Sequence, residues 1–176
     1  MTPENTVSGR LTEFMETNEL NWDAVYAHEA PRIYNYFRFR LGSESDVEDL
    51  TARTFEHAWR SRARYRRDLA AFATWLFKIA QNLGSDYLRG RRTHLPIDVA
   101  LEVWAEGTPH QDAERGSDLA RLALLCEALP ERERELVALK YGAVMNNRMI
   151  AELTGLSESN VGTILHRVVQ VLRRQW

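Results

Sequence analysis

Along most of this 176-residue chain the apolar positions recur at helical spacing, and no stretch alternates in the manner of a strand. Ile33, Tyr34, Phe37 and Leu41 form one stripe, and Val47, Leu50, Thr54, Phe55, Ala58 and Trp59 form the next. Pro31 fits the first turn of a helix, where its missing N–H costs nothing, and Gly42-Ser43 fits a stop followed by a new start. A third helix is expected over 72–89, with Trp75, Leu76, Ile79, Leu83, Tyr87 and Leu88 near one stripe. Gly84 interrupts it at a cost of about 1 kcal/mol relative to alanine. Periodicity then fades from about 94 to 116, where Pro96, Gly107, Pro109 and Gly116 punctuate an acidic stretch with room for one short helix at 99–104. Four helical segments follow, at 118–128, 130–141, 147–153 and 157–174, with Leu129-Pro130 separating the first two. The pattern predicts an all-α protein: an N-terminal extension (1–20), a helical domain (21–93), a flexible linker (94–116) and a second small helical domain (117–176).

Composition changes this picture little. The chain is 44% hydrophobic and 27% charged with a formal net charge of −2, the balance of a globular protein. No apolar run approaches the roughly 18 residues of a membrane span, and MTPENTVSGRLTEF has neither the basic start nor the apolar core of a secretion signal, so no membrane insertion and a cytoplasmic location are expected. The lone Cys126, in the apolar run LARLALLCEAL, reads as a small buried hydrophobe. Charge position matters more than its sum: 13 basic and 9 acidic side chains lie in 21–93, whereas 94–115 holds 5 acidic and 1 basic.

The stretch MIAELTGLSESNVGTIL has the grammar of a helix-turn-helix. Ala151 is small where two helices cross, Gly155 suits a left-handed helix end, and Leu156 plugs the corner. Ser157 can cap the second helix by accepting from the amide of Ser159 or Asn160. With Val161 and Leu165 turned inward, Glu158, Ser159, Gly162, Thr163 and His166 or Arg167 are expected outward. Ser159, Asn160 and Thr163 can hydrogen-bond base edges or phosphates, and Gly162 would admit a close backbone approach. From Ser157 to Leu165 there is no lysine or arginine, so phosphate affinity falls to Arg148, Arg167, Arg173 and Arg174. Alone, the motif predicts a weak DNA contact that a partner must assist; any helical hairpin of this length can also show such small and apolar positions.

The first domain carries a denser signal. Asp46, Glu48 and Asp49 open an amphipathic helix; Arg60, Arg62, Arg64, Arg66 and Arg67 follow; then an aromatic-containing helix ends in Arg89, Arg91 and Arg92. Arginines among aromatics suit single-stranded DNA, because rings stack on unpaired bases while guanidinium groups hold phosphates. Singly, each part has a plainer reading: Trp59, Phe72, Trp75 and Phe77 as core, the arginines as a solvated face.

Together these residues resemble region 2, the promoter-melting domain, of bacterial extracytoplasmic-function sigma factors of the sigma-70 family. That family shows an acidic helix of the pattern DAEDLVQETF..AW and a helix of the pattern WLF.IARN...D.LR. The matching residues are Asp46, Glu48, Asp49, Leu50, Thr54, Phe55, Ala58 and Trp59, then Trp75, Leu76, Phe77, Ile79, Ala80, Asn82, Asp86, Leu88 and Arg89. LPERERELVALKY followed by IAELTGLSESNVGTILHR is similar to sigma region 4. The departures are Ala52-Arg53 where the family has Gln-Glu, Gly162 and Ile164 where relatives carry Lys and Arg, and Asn146-Asn147 in place of an acidic approach.

The resemblance implies a factor that binds core RNA polymerase and directs promoter recognition, DNA melting and transcription initiation, with no catalysis and no cofactor. Asp46, Glu48, Asp49, Arg53, Phe55 and Trp59 would meet the coiled coil of the β′ clamp, and region 4 the β flap. Arg66, Arg67 and Asp68 would lie in the loop that captures a flipped −10 base, with Asp68 hydrogen-bonding it. Lys78, Gln81, Asn82, Arg89, Arg91 and Arg92 would stand near the melted strand. Arg148, Ser157, Ser159, Asn160, Thr163 and Arg167 would serve the duplex −35 element. The resemblance also admits an anti-sigma factor seated between the domains. Separately, phosphorylation of Thr51 or Thr54 would add acidity to the polymerase-binding helix and could switch it. A sigma-like regulator that binds without initiating stands as the alternative. An enzyme is disfavoured because His28, His57, His94, His110 and His166 are scattered without ligand spacing, and no metal site is expected.

Overall fold

In a computed structural model the described residues are 21–42, 44–68, 70–94, 121–122 and 125–176. The extension 1–20, the linker helix expected at 99–104 and the start of the last block lie outside them. The described residues are helical, without a strand, as the periodicity predicts.

The first half is three helices: α1 (Trp22–Leu41), α2 (Glu44–Ser61) and α3 (Phe72–His94), with a 3₁₀ turn (Arg62–Arg64) after α2. Asn21 caps α1 by accepting from the Ala24 amide at 3.1 Å. Gly42 ends it at φ 77°, donating its N–H to the Arg38 carbonyl. Pro31 is not in a first turn, as the sequence reading expected, but inside α1. The ring sits on the exposed face, and burial of Val25, Ile33, Tyr36, Phe37 and Leu41 on the opposite stripe carries the helix through it. The three helices pack on one another through these residues and Val47, Leu50, Leu76, Phe77, Ala80 and Leu83. Tyr36 is ringed by Phe37 at 5.1 Å and Phe77 at 5.8 Å between centroids.

The second half contains α4 (Glu131–Val137), which widens into a π-helical turn (Ala138–Gly142), then α5 (Asn147–Thr154) and α6 (Glu158–Gln175). The turn closes with the Ala143 amide donating to the Ala138 carbonyl at 2.9 Å, five residues back. Arg134 holds the corner before Pro130 by donating to the Glu127 and Leu129 carbonyls at 2.6 and 3.0 Å. Cys126 is buried there, as expected, and burial pushes its thiol pKa up. Asn146, a departure from the family pattern, caps α5 by accepting from the Met149 amide at 2.9 Å.

The two halves are docked rather than separate. One apolar cluster runs through both, and α1 lies on the Ala138–Gly142 turn. Gly142 allows this: a Cβ there would stand 2.8 Å from the Asn35 carbonyl oxygen and 3.1 Å from the Tyr36 Cα. Arg32 on α1 donates to the Ala143 carbonyl at 2.9 Å. Gly84 has a similar purpose inside the first half, since a Cβ would meet the Arg40 guanidinium at 2.7 Å.

Val144 is the one strained position among the described non-glycine residues, at φ 54° with 76% of its surface exposed. A left-handed conformation costs a β-branched residue about 1–2 kcal/mol, and exposure returns little for it. Val144→Gly is therefore expected to stabilise the protein by about 1 kcal/mol after glycine's own entropy cost, raising Tm by about 2–4 °C in thermal unfolding. A lowered Tm would show that the Val144 side chain is worth more than its strain.

Candidate nucleic-acid interface

The outer face of α2 is a self-paired row of charges. Glu48 and Asp49 are exposed, Asp49 lies 3.6 Å from Arg53 one turn on, and Glu56 pairs with Arg60 at 2.6 Å. Asp46 faces α3 instead, where it accepts a short hydrogen bond from the Tyr87 hydroxyl. Burial, and next this bond, raise the Tyr87 pKa. Phe55 is buried with its ring 4.7 Å from that of Tyr26, so it builds the helix's inner face and is not presented outward. Thr51 and Thr54 are also buried, each donating its hydroxyl at 2.7 Å to the carbonyl four residues back. That geometry closes both hydroxyls to a kinase, against the switch considered from sequence.

Trp59 ends the face differently. It is 48% exposed, meets Trp22 edge-on at 5.2 Å, and carries the Arg62 guanidinium 4.0 Å above its ring. The reading of Trp59 as core is therefore only half right, whereas Phe72 and Phe77 are buried and Trp75 is partly so.

The aromatic cluster continues under the loop between α2 and α3. Tyr65 packs on Phe72 at 5.4 Å and Trp75 at 5.1 Å, and its hydroxyl donates to the Ala70 carbonyl at 3.1 Å. Fixed on this base, Arg66 grips Asp68 with two parallel bonds of 2.9 and 2.8 Å. The carboxylate predicted to meet a base is thus occupied by its neighbour, and the pair presents itself as a unit. Arg67 is exposed beside it.

Along α3, Lys78 donates to the Gln81 side chain at 2.9 Å and to the Leu153 carbonyl of α5 at 3.4 Å. Gln81 is half-buried, Asn82 is exposed, and Arg89 lies 3.4 Å from Asp86. Arg91 approaches the Tyr87 ring at 5.8 Å; the Arg92 side chain is outside the described residues. Lys78, Gln81, Asn82 and Arg89 line a polar cleft of about 380 Å³ whose far wall is Arg132, Leu153 and Leu156 of the second half.

The helix-turn-helix forms as its grammar predicts. Gly155 is left-handed at φ 73° and donates to the Ala151 carbonyl at 2.9 Å. Ser157 accepts from the Asn160 amide at 3.2 Å, capping α6. Ser159, Asn160, Thr163, His166 and Arg167 are exposed along one side, and Val161, Leu165 and Val168 are buried. Gly162 is a correction. It is half-buried, and a Cβ there would make ordinary contact at 3.4 Å with the side-chain amide nitrogen of Asn147, so it faces α5 and is not fully outward as expected. Ile164 likewise packs on the core. Arg167 reaches back to Glu133 at 2.9 Å, and exposed Arg148 pairs loosely with Glu152 at 3.5 Å.

Sequence reasoning missed Arg40, 1% exposed at the join of the halves. It donates to the Tyr36 hydroxyl at 2.6 Å, the Gln81 carbonyl at 3.2 Å and Ser85 Oγ at 2.9 Å, and pairs with Glu135 at 3.5 Å and Glu131 at 4.0 Å. The signal was present: position 40 continues the stripe of Ile33, Tyr36 and Phe37.

An exposed helix-turn-helix face joined to an arginine and aromatic surface defines a helical, two-part nucleic-acid-binding protein. Residues 25–94 match the model of sigma-70 region 2, and residues 119–172 match that of sigma-70 region 4. The chain belongs to the extracytoplasmic-function sigma factors of the sigma-70 family. It is 25% identical over 174 residues to the ECF RNA polymerase sigma factor BldN of Streptomyces coelicolor, covering 95% of this chain and 66% of that one. To the ECF RNA polymerase sigma factor SigE of Mycolicibacterium smegmatis it is 31% identical over 160 residues, covering 87% and 60%. The chain thus spans two thirds or less of these two relatives. Its fold is similar to the sigma factor RpoE of Bartonella quintana, solved with the anti-sigma factor NepR, at a TM-score of 0.69 and 19% identity over 87% of this chain and 94% of that one. No described helix is long and apolar enough to cross a membrane.

The Arg66 grip holds the Asp68 carboxyl below the ordinary carboxylate range. The clamp is therefore complete at neutral pH and is lost only as pH falls through that depressed value. In Arg66→Ala the Asp68 pKa, followed by NMR titration, is expected to rise toward the ordinary value. An unchanged pKa would mean that the two side chains part in solution.

Proposed function

We propose that this chain is an alternative-type sigma factor that binds core RNA polymerase in the cytoplasm and directs it to promoters with −35 and −10 elements. The observation that carries the reading is the pairing, in one chain and in family order, of an arginine and aromatic loop surface with an exposed, Ser157-capped recognition helix.

On this reading the outer face of α2 docks on the β′ clamp through Glu48 and Asp49. Arg53 beside Asp49 halves the acidity of that face, and Asp46 acts only by tying α2 to α3. The second half meets the β flap while α6 enters the −35 major groove, where Ser159, Asn160 and Thr163 read base edges and Arg148, Arg167 and the Ser157 end of the helix position the backbone. Base readout of this kind needs no cation; phosphate affinity comes chiefly from polymerase and the first half. Melting needs no chemistry from the chain. Unpaired bases bind the Arg66–Asp68 loop and α3 (Lys78, Asn82, Arg89, Arg91) more tightly than paired ones, offsetting the few kcal/mol that each extruded base costs. Relatives solved with anti-sigma factors support such a factor as a further partner.

Run-off transcription with purified core polymerase tests the reading. The chain is expected to give a discrete start on a cognate duplex promoter. Asp49→Lys is expected to abolish core binding, and Asn160→Ala with Thr163→Ala to reduce −35 discrimination by about 1–3 kcal/mol for each lost contact. A chain that shifts DNA in gels yet neither binds core nor yields a start would show the non-initiating alternative to be correct.

A further inference from the structure

The polar cleft beside α3 is rich in one kind of group, the hydrogen-bond donor. On its α3 wall Lys78, Gln81, Ser85 and Arg89 recur every three or four residues, so they share one stripe of the helix. Arg132 of α4 stands in the lining as well, exposed and without a partner among the described residues. The lining contains a single carboxylate, Glu135, and it is already engaged. It lies 3.5 Å from Arg40 and accepts from the Tyr36 hydroxyl at 3.4 Å.

These donors retain protons to give. Lys78 donates to the Gln81 side-chain oxygen at 2.9 Å and to the Leu153 carbonyl at 3.4 Å, which leaves one ammonium proton over. The same bond engages the Gln81 amide by its oxygen, leaving its N–H groups for another acceptor. Ser85 Oγ accepts from Arg40 Nη2 at 2.9 Å, so its own proton is the part left to donate. Arg89 shares its charge with Asp86, 3.4 Å away, and Arg132 adds a planar fork of donors from the other half.

An acceptor that meets donors from both α3 and α4 must carry many oxygens and more than one negative charge. A carboxylate offers a single charge on a pair of oxygens. A diphosphate offers more of both, and lysine and arginine hold phosphate by charge-assisted hydrogen bonds. The volume of the cleft, about 380 Å³, lies in the range of small-molecule sites, and Leu153 and Leu156 give it an apolar edge against which an organic group can lie.

We propose that this cleft is a binding site for a small anion carrying a diphosphate or triphosphate group, gripped by Lys78, Gln81 and Ser85 of α3 and by Arg132 of α4. The site does not depend on the assignment of α3 to the melted strand. Titration calorimetry of the full chain with sodium pyrophosphate, GDP and sodium sulfate at constant ionic strength tests it, with thermal unfolding alongside. Pyrophosphate, GDP or both are expected to bind one per chain, at least tenfold more tightly than sulfate, and to raise Tm by about 5 °C at a hundredfold excess over Kd. Tighter binding of GDP identifies a nucleotide that uses the leucine edge; binding of pyrophosphate as tight or tighter identifies the phosphates alone, and either result supports the site. Arg132→Glu and Lys78→Gln, both at exposed positions, are each expected to weaken binding about tenfold or more. Arg148→Glu, a charge reversal on α5 outside the lining, is expected to leave it unchanged. Unfolding of each variant without ligand checks that it folds. No binding of either phosphate compound, or binding that either lining substitution leaves unchanged, would overturn the site. Sulfate bound as tightly as the phosphate compounds would mean an adventitious ion only. A single-stranded oligonucleotide that binds where neither phosphate compound does would give the cleft to nucleic acid and overturn the proposal.

Discussion

Arg40 carries a full positive charge at 1% exposure, and much of the molecule is arranged around that fact. Removing such a charge from water costs several kcal/mol even after relaxation, so its surroundings must supply both hydrogen bonds and countercharge. Gly84 leaves the space, Tyr36, Gln81 and Ser85 accept its protons, and Glu131 and Glu135 bring the countercharge from the other half. Burial and the nearby Glu135 in turn hold the Tyr36 hydroxyl protonated, with a pKa well above the ordinary tyrosine value. One side chain thus couples α1, α3 and α4, and with them the polar face of α3 and the helix-turn-helix.

Charge elsewhere is used in the opposite way. The rows on α2, the Arg66–Asp68 grip and the Arg167–Glu133 pair are exposed and largely self-neutralised, and such pairs contribute little to stability. Their effect is to hold side chains in place and to keep the free surfaces only weakly attractive to DNA. Under the proposed function that restraint is useful, since strong phosphate affinity would spread the chain over non-specific sites.

The helices and their ends were readable because the determinants are local. Periodicity gave α1, α2, α3, α5 and α6, and Gly42, Gly155 and Ser157 sit at the ends their chemistry demands. Pro31 was misplaced because a local preference for first turns was overridden by the buried stripe on either side of it. Phe55 was assigned an outward role from motif position, while packing against Tyr26 turned it in. The docking of the halves was not readable at all. It depends on pairs such as Tyr36 and Glu135, 99 positions apart, and on Gly142 fitting a backbone that no nearby residue announces. Arg40 lay on the apolar stripe, but an arginine there reads as a solvated residue until its partners are known.

The most direct test of the account is a distance between the halves in the free chain. Spin labels at His57→Cys on α2 and His166→Cys on α6, both exposed positions, in a Cys126→Ala background would report it by pulsed electron resonance. One narrow distance is expected in the chain, broadened when Arg40→Gln removes the charge that the join neutralises. A broad distribution in the parent chain, or an unchanged narrow one in Arg40→Gln, would contradict the account.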